Sequence, residues 1–272
     1  MLVFILTLLP CCTEEDTGIS DEDWSFVAFG DLRQGYGIYG RLVHWMSRIE
    51  PTPAFAVCLG DIMLDGSNEA EWENFWKVSE PITGIMPMYI SRGNHDGNDD
   101  MSERIFREQT GIEADTFYYA FTYDHSTFII LDSYARDEEN SIGMEQLNWL
   151  KTELESASSD TLTESVFLFL HHPLFPQGIH RGNGLKNAVE LHNIFLQHPK
   201  IKAVVVAHDH LFNRFAKDGI NYITTGGAGG PLHRGYGGDY YHFVKISYYR
   251  GTNHFEVKTI GIHNEIVDQF DL

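Results

Sequence analysis

Apolar residues fall along this chain in many short runs. Val, Ile, Phe and Tyr concentrate at 25–29, 54–59, 86–90, 116–122, 127–131, 166–170, 203–206, 220–224, 241–248 and 254–260, bounded by polar or turn-forming positions. Runs of this length and composition predict strands. Helical spacing appears between them at 38–49, 68–79, 143–157 and 185–198. In the third of these, Leu147, Leu150 and Leu154 stand three and four apart and share one helical face. Strand and helix in alternation predict parallel βαβ units. The two runs joined through Tyr123-Asp124-His125-Ser126 are close enough to form an antiparallel hairpin. The pattern therefore predicts an α/β protein with two sheets, divided near residue 160 into an early and a later βαβ half.

Composition narrows this picture. The chain has 272 residues, 43% of them hydrophobic and 21% charged, enough to bury a full core in one αβ domain. Its formal net charge of -20 argues against a nucleic acid partner, because such affinity comes mostly from Lys and Arg neutralising phosphates. An anionic substrate would need a local positive site, which metal ions can supply.

Residues 1 to 16, MLVFILTLLPCCTEED, are an apolar run too short to span a bilayer, followed by two cysteines and then acids. They read as an export leader of lipoprotein type, with a lipid anchor at Cys11 or Cys12. Residues 1–22 are accordingly set apart from a folded domain at 23–272. The expected location is secreted or membrane-anchored outside the cytoplasm, and cytoplasmic if the leader reading fails. Cys58, in AFAVCL, is the remaining cysteine and reads as a small buried hydrophobe. With no Cys framework inside the domain, any metal must be held by nitrogen and oxygen.

Polar residues able to hold metal follow five of the predicted strands. FVAFGD ends in Asp31, AFAVCLGD in Asp61, and MPMYISRGNHD in Asn94, His95 and Asp96; VFLFLHHP carries His171 and His172, and AVVVAHDH carries His208 and His210. Residues just beyond the carboxyl ends of parallel strands converge on one edge of a sheet. Singly, each has an ordinary structural role: helix cap for the aspartates, turn for Asn94, satisfied core group for a histidine. Together they imply a cation, since carboxylates gathered at one low-dielectric rim repel each other unless one lies between them.

These stretches resemble the ordered motifs of the calcineurin-like metallophosphoesterase superfamily, which includes the purple acid phosphatases and metallophosphodiesterases. The matching segments are Gly30-Asp31-Leu32-Arg33, Gly60-Asp61 through Asp65-Gly66, Gly93-Asn94-His95-Asp96, His171-His172-Pro173 and Ala207-His208-Asp209-His210. The resemblance implies a four-layer αββα sandwich of two mixed β-sheets flanked by helices. It also implies two divalent or trivalent transition-metal ions, Mn, Fe or Zn. Asp31 and His210 would hold the first ion, Asn94, His171 and His208 the second, and Asp61 would bridge them. The implied reaction is hydrolysis of a phosphate monoester or diester on a small phosphorylated substrate. A metal-bridging hydroxide would be the nucleophile and His95 the general acid, oriented by Asp65 or Asp96.

The chain departs from the family pattern mildly at Ala207, which replaces a glycine, and more at two other places. Arg33 stands where many members carry a histidine ligand, and guanidinium does not bind metal; either the first ion has one protein ligand fewer, made up by water or Gln34, or Arg33 has changed role and is placed to clamp a phosphate oxygen. Leu64 stands where many members carry an acid, an amide or, in purple acid phosphatases, a tyrosine ligand. His172 is expected to lie behind the ligands. His180 and Arg181 lie in a loop that either approaches substrate or is plain surface, and TTGGAGGP at 224–231 is expected to be a close-packed turn beside the metals. Two alternatives stay open: hydrolysis of a diphosphate or cyclic nucleotide on the same centre, and a metal-binding lipoprotein with weak or lost catalysis.

Overall fold

The first apolar run, Trp24–Phe29, is buried at every position and forms strand β1. A computed structural model describes residues 22–112 and 115–272; apart from Glu22, the expected leader lies outside the described residues. After β1 come α1 (Tyr36–Met46), β2 (Phe55–Cys58), α2 (Glu69–Thr83), β3 (Met88–Ile90), α3 (Asp100–Thr110), β4 (Tyr119–Tyr123) and β5 (Ser126–Ile130). The chain continues through α4 (Met144–Ser159), β6 (Ser165–Phe169), α5 (Ala188–Phe195), β7 (Ile201–Val206), β8 (Phe212–Lys217), β9 (Ile220–Thr225), β10 (His242–Tyr249), β11 (His254–Gly261) and β12 (Ile266–Asp271).

The strands form two six-stranded mixed sheets, ordered β12-β11-β10-β1-β2-β3 and β4-β5-β6-β7-β9-β8. β1, β2 and β3 pair in parallel, as do β5, β6, β7 and β9. β4 and β5 form the expected antiparallel hairpin. The change from one sheet to the other falls between β3 and β4, earlier than the expected division near 160, and the last three strands return to the first sheet.

Alternation along the central strands explains why they are apolar throughout. Val27 and Phe29 pack with Tyr39 and Leu42 of α1, Trp72 and Phe75 of α2, and Phe106 of α3. Phe26 and Ala28 point the other way, toward Phe128, Phe167, Phe169 and Val205 of the second sheet. On the far side, Leu168 and Val204 meet Leu147, Leu150 and Leu154 of α4 and Leu191 of α5. The result is helix, sheet, sheet, helix, with three apolar layers. Each fully buried Phe in the central layer contributes about 1.5–3 kcal/mol.

Three elements escaped the sequence pattern. α3 is mostly polar; it starts at a capping box made by Asp99 and Ser102 and ends at Gly111, whose φ is 69°. β8 (FNRFAK) and β12 (IVDQFD) are edge strands, where one exposed face removes the apolar run that identifies central strands.

Candidate metal centre

Six residues expected as ligands converge where the carboxyl ends of the two sheets meet. The first sheet supplies Asp31 after β1, Asp61 after β2 and Asn94 after β3; the second supplies His171 after β6 and His208 and His210 after β7. One sheet brings the acids and the amide, the other the imidazoles.

Two clusters result. In the first, ligand atoms of Asp31, Asp61 and His210 lie within 4.8 Å of one another, and His210 Nε2 is 3.5 Å from Asp31 Oδ1. In the second, His171 Nε2 lies 3.1 Å from Asn94 Oδ1 and 3.1 Å from His208 Nδ1. Asp61 stands between them, since its Oδ1 is also 3.4 Å from His171 Nε2. His172 joins the second cluster as a close neighbour; its Nδ1 is tied to Ser133 Oγ at 2.9 Å.

The imidazoles are turned by their other nitrogens. His171 Nδ1 donates to the Leu59 carbonyl at 2.8 Å and His210 Nδ1 to the Pro231 carbonyl at 2.7 Å, which leaves both Nε2 lone pairs facing the clusters. Burial pushes His171, His172 and His210 down to about 3, and lowers His208 as well, aided by His171. These rings are therefore neutral at pH 7, as ligands must be, and their contacts with the aspartates are polar rather than ionic.

Asp31 is the reverse case. It is fully buried, and neither carboxylate oxygen has a hydrogen bond of ordinary geometry, although the His208 main chain and the Arg33 charge lie near enough to favour its ionised form in part. Burial first, then the charge of Asp61, raises its carboxyl well above the ordinary range. An ionised carboxylate left so is costly unless a cation reaches it. The all-N/O donor set, with its orphaned acid and neutral imidazoles, fits hard or borderline transition metals.

Backbone shape matters as much as side-chain type. Asp31, Asp61, His208 and His210 have φ values of 59°, 51°, 68° and 44°, a left-handed conformation rare outside Gly, Asn and Asp. The Gly-rich turn packs directly on the first cluster: a Cβ on Gly226 would lie 2.3 Å from Asp31 Oδ2, and one on Gly230 3.0 Å from His210 Cε1. Gly30 makes room for Ala207, whose Cβ would stand 2.7 Å from a side chain there.

The carboxylate expected to orient His95 is absent from that role. Asp96 instead accepts from the backbone N–H groups of Asp61, Ile62, Met63 and Gly93 at 3.0, 2.9, 3.1 and 2.8 Å, and so holds the Asp61 loop in shape. Burial and Asp61 push its carboxyl up to about 7, against the pull of these donors. Asp65 binds Ser67 N and Oγ in the turn before α2. His95 is held by the Leu64 carbonyl, 3.2 Å from Nδ1, and by its own N–H to Asp61 Oδ1 at 2.9 Å. A main-chain acceptor serves here, so the side chain at 64 is free to be Leu.

Arg33 crosses the mouth of the site. Nη1 contacts His95 Nε2, Nη2 is 3.3 Å from His210 Nε2, and Nε is 3.8 Å from Asp61 Oδ2. No ion pair joins it to Asp31. Asp209 was not singled out in the sequence. It is fully buried, and it receives Gly178 N and His180 Nδ1, each at 2.8 Å. This brings the His180 ring to 4.2 Å from that of His208, while His233 stacks 4.5 Å from His210. The signal for Asp209 was its place between two of the expected ligands in AHDH.

A family model described as calcineurin-like phosphoesterase matches residues 25–212. Purple acid phosphatase 22 of Arabidopsis thaliana is 23% identical over 188 residues, covering 64% of this chain and 41% of that protein. The purple acid phosphatase PPD1 of yellow lupin (Lupinus luteus) seeds superposes with a TM-score of 0.75 at 15% identity, over 91% of this chain and 53% of the other. A dimetal phosphatase from Danio rerio gives 0.68 at 16% identity, over 92% and 99%. The chain thus spans about two fifths of the length of the curated relative and about half of the lupin structure.

Proposed function

The chain belongs to the calcineurin-like phosphoesterase family, and on that premise we propose that it hydrolyses a phosphate monoester or diester of a small molecule. Asp31 and His210 would hold one transition-metal ion, Asn94, His171 and His208 a second, with Asp61 shared. The observation that carries this reading is Asp31, buried with both oxygens unpartnered beside Asp61 and His210. Bound metal ions supply a reactive water near neutral pH and neutralise phosphate oxygens.

The remaining work falls to the chain. His95 Nδ1 is held by Leu64 O, so Nε2, which accepts from Arg33 Nη1 at rest, is the nitrogen that would carry the second proton of the imidazolium and pass it to the leaving oxygen. The phosphorus–oxygen bond to the leaving group breaks as the water oxygen bonds to phosphorus, releasing an alcohol and a phosphate. Arg33, in contact with His95 Nε2, is beside the oxygens that gain charge. As a reading of the whole chain, residues 23–272 form the phosphoesterase domain and 1–22 a leader.

Elemental analysis after reconstitution with Mn or Zn, with turnover of a chromogenic phosphate ester, tests the proposal. About two ions per chain are expected. Asp61→Ala is expected to lose metal and activity together, whereas His95→Ala keeps metal and loses mainly turnover. No metal uptake by the wild-type protein would overturn the reading.

A further inference from the structure

We infer that Arg33 makes this site selective for a terminal, doubly charged phosphate, a phosphomonoester, over a diester; this rests on the phosphoesterase reading above. The guanidinium spans the gap between His95 Nε2, on the leaving-group side, and His210 Nε2, at the first cluster, with Nε toward Asp61. Its main chain is anchored as well, since Arg33 N donates to the Asp61 carbonyl at 3.0 Å. The side chain is 20% exposed, open to a ligand yet partly shielded from solvent. Arg92, another arginine near these loops, is committed to Asp132 and Glu103. Arg33 Nε has no hydrogen-bond partner.

Charge and oxygen count both point the same way. If both ions were divalent, two ionised aspartates and one hydroxide would leave a single positive charge, and Arg33 would raise that to two, matching a monoester dianion rather than a diester monoanion. A monoester also presents three non-ester oxygens. With two of them toward the metal clusters, one would remain to accept from the guanidinium. A diester has two non-ester oxygens, so its second organic substituent would be pressed against Arg33, and a desolvated guanidinium would lose its acceptor. A neutral histidine at this position carries neither the charge nor that penalty.

The test uses metal-loaded wild type, Arg33→Ala and Arg33→Lys, with metal content measured on each. Turnover is compared between p-nitrophenyl phosphate and bis(p-nitrophenyl) phosphate, and calorimetry compares binding of inorganic phosphate with dimethyl phosphate. Arg33→Ala is expected to retain metal and to lose about 10- to 100-fold in monoester kcat/KM and in phosphate affinity. The diester values should fall by clearly less, so that the monoester-to-diester ratio of kcat/KM drops by at least about tenfold. Arg33→Lys should restore part of the phosphate affinity, since it keeps the charge but not the planar fork. Equal losses for both ester classes, or loss of metal in Arg33→Ala, would overturn the inference. If the wild type bound metal but turned over neither ester, the phosphoesterase reading would fail while the two affinities still judged Arg33.

Discussion

Replacing Asp31 with Asn should stabilise the metal-free protein and destabilise the metal-loaded one relative to wild type. Asp31 is fully buried, and both its oxygens lack a partner. Leaving a buried polar group unsatisfied costs about 1–3 kcal/mol, and more when it is charged. Asn keeps the shape and removes the charge, and His210 Nε2, 3.5 Å from Oδ1, is an acceptor for its amide. The gain must depend on pH. Because the folded-state carboxyl titrates above its unfolded value, the wild-type protein is least penalised at low pH, where Asp31 is protonated, and loses stability as pH rises through the raised pKa. The neutral histidines lose stability in the opposite direction, as pH falls from 6.5 toward 3, but this is common to both proteins and cancels in the comparison. Melting of chelator-treated protein at pH 8 is the assay. A shift of about 2–4 °C per kcal/mol is expected for chains of this size, so Asp31→Asn should melt a few degrees above wild type, with the gap closing toward pH 4. Metal at about 100 times its Kd should add about 2.7 kcal/mol to the wild type and much less to the variant, reversing their order. An Asn variant that melts below metal-free wild type at pH 8, or a gap unchanged by pH, would refute the reasoning.

Asp96→Ala removes the acceptor of four buried backbone N–H groups, and urea unfolding should show a loss of about 3 kcal/mol. A loss below about 1 kcal/mol would mean that the loop is held by other contacts. Gly226→Ala places a methyl 2.3 Å from Asp31 Oδ2 and should weaken metal binding by about 10- to 100-fold, as displacing a ligand's support does. Zinc calorimetry reads the change, and unaltered affinity would show that Asp31 holds no ion.

The strands and the polar residues at their ends were legible in the sequence for one shared reason. A strand buried on both faces must be apolar throughout, so FVAF, AFAVC, VFLF and AVVV stand out, and the polar residue that ends each run marks the sheet edge. That contrast picked out Asp31, Asp61, Asn94, His95, Asp96, His171, His172, His208 and His210 at the strand ends, and the family resemblance proposed six of them as ligands. Edge strands β8 and β12 and the polar helix α3 carry no such contrast, because one exposed face dilutes the pattern. Tertiary structure alone decided what depends on direction and on main-chain atoms. The acids arrive from one sheet and the imidazoles from the other. Leu64 holds His95 through its carbonyl, an interaction that no side-chain type records. Asp96 serves four N–H groups rather than His95 because the Asp61 loop folds back over it. Arg33 bypasses Asp31, two residues away, because the chain turns at Asp31 and again at Gln34, both at positive φ. Local sequence sets which groups a strand end can present, whereas their partners are set by packing between segments far apart in the chain.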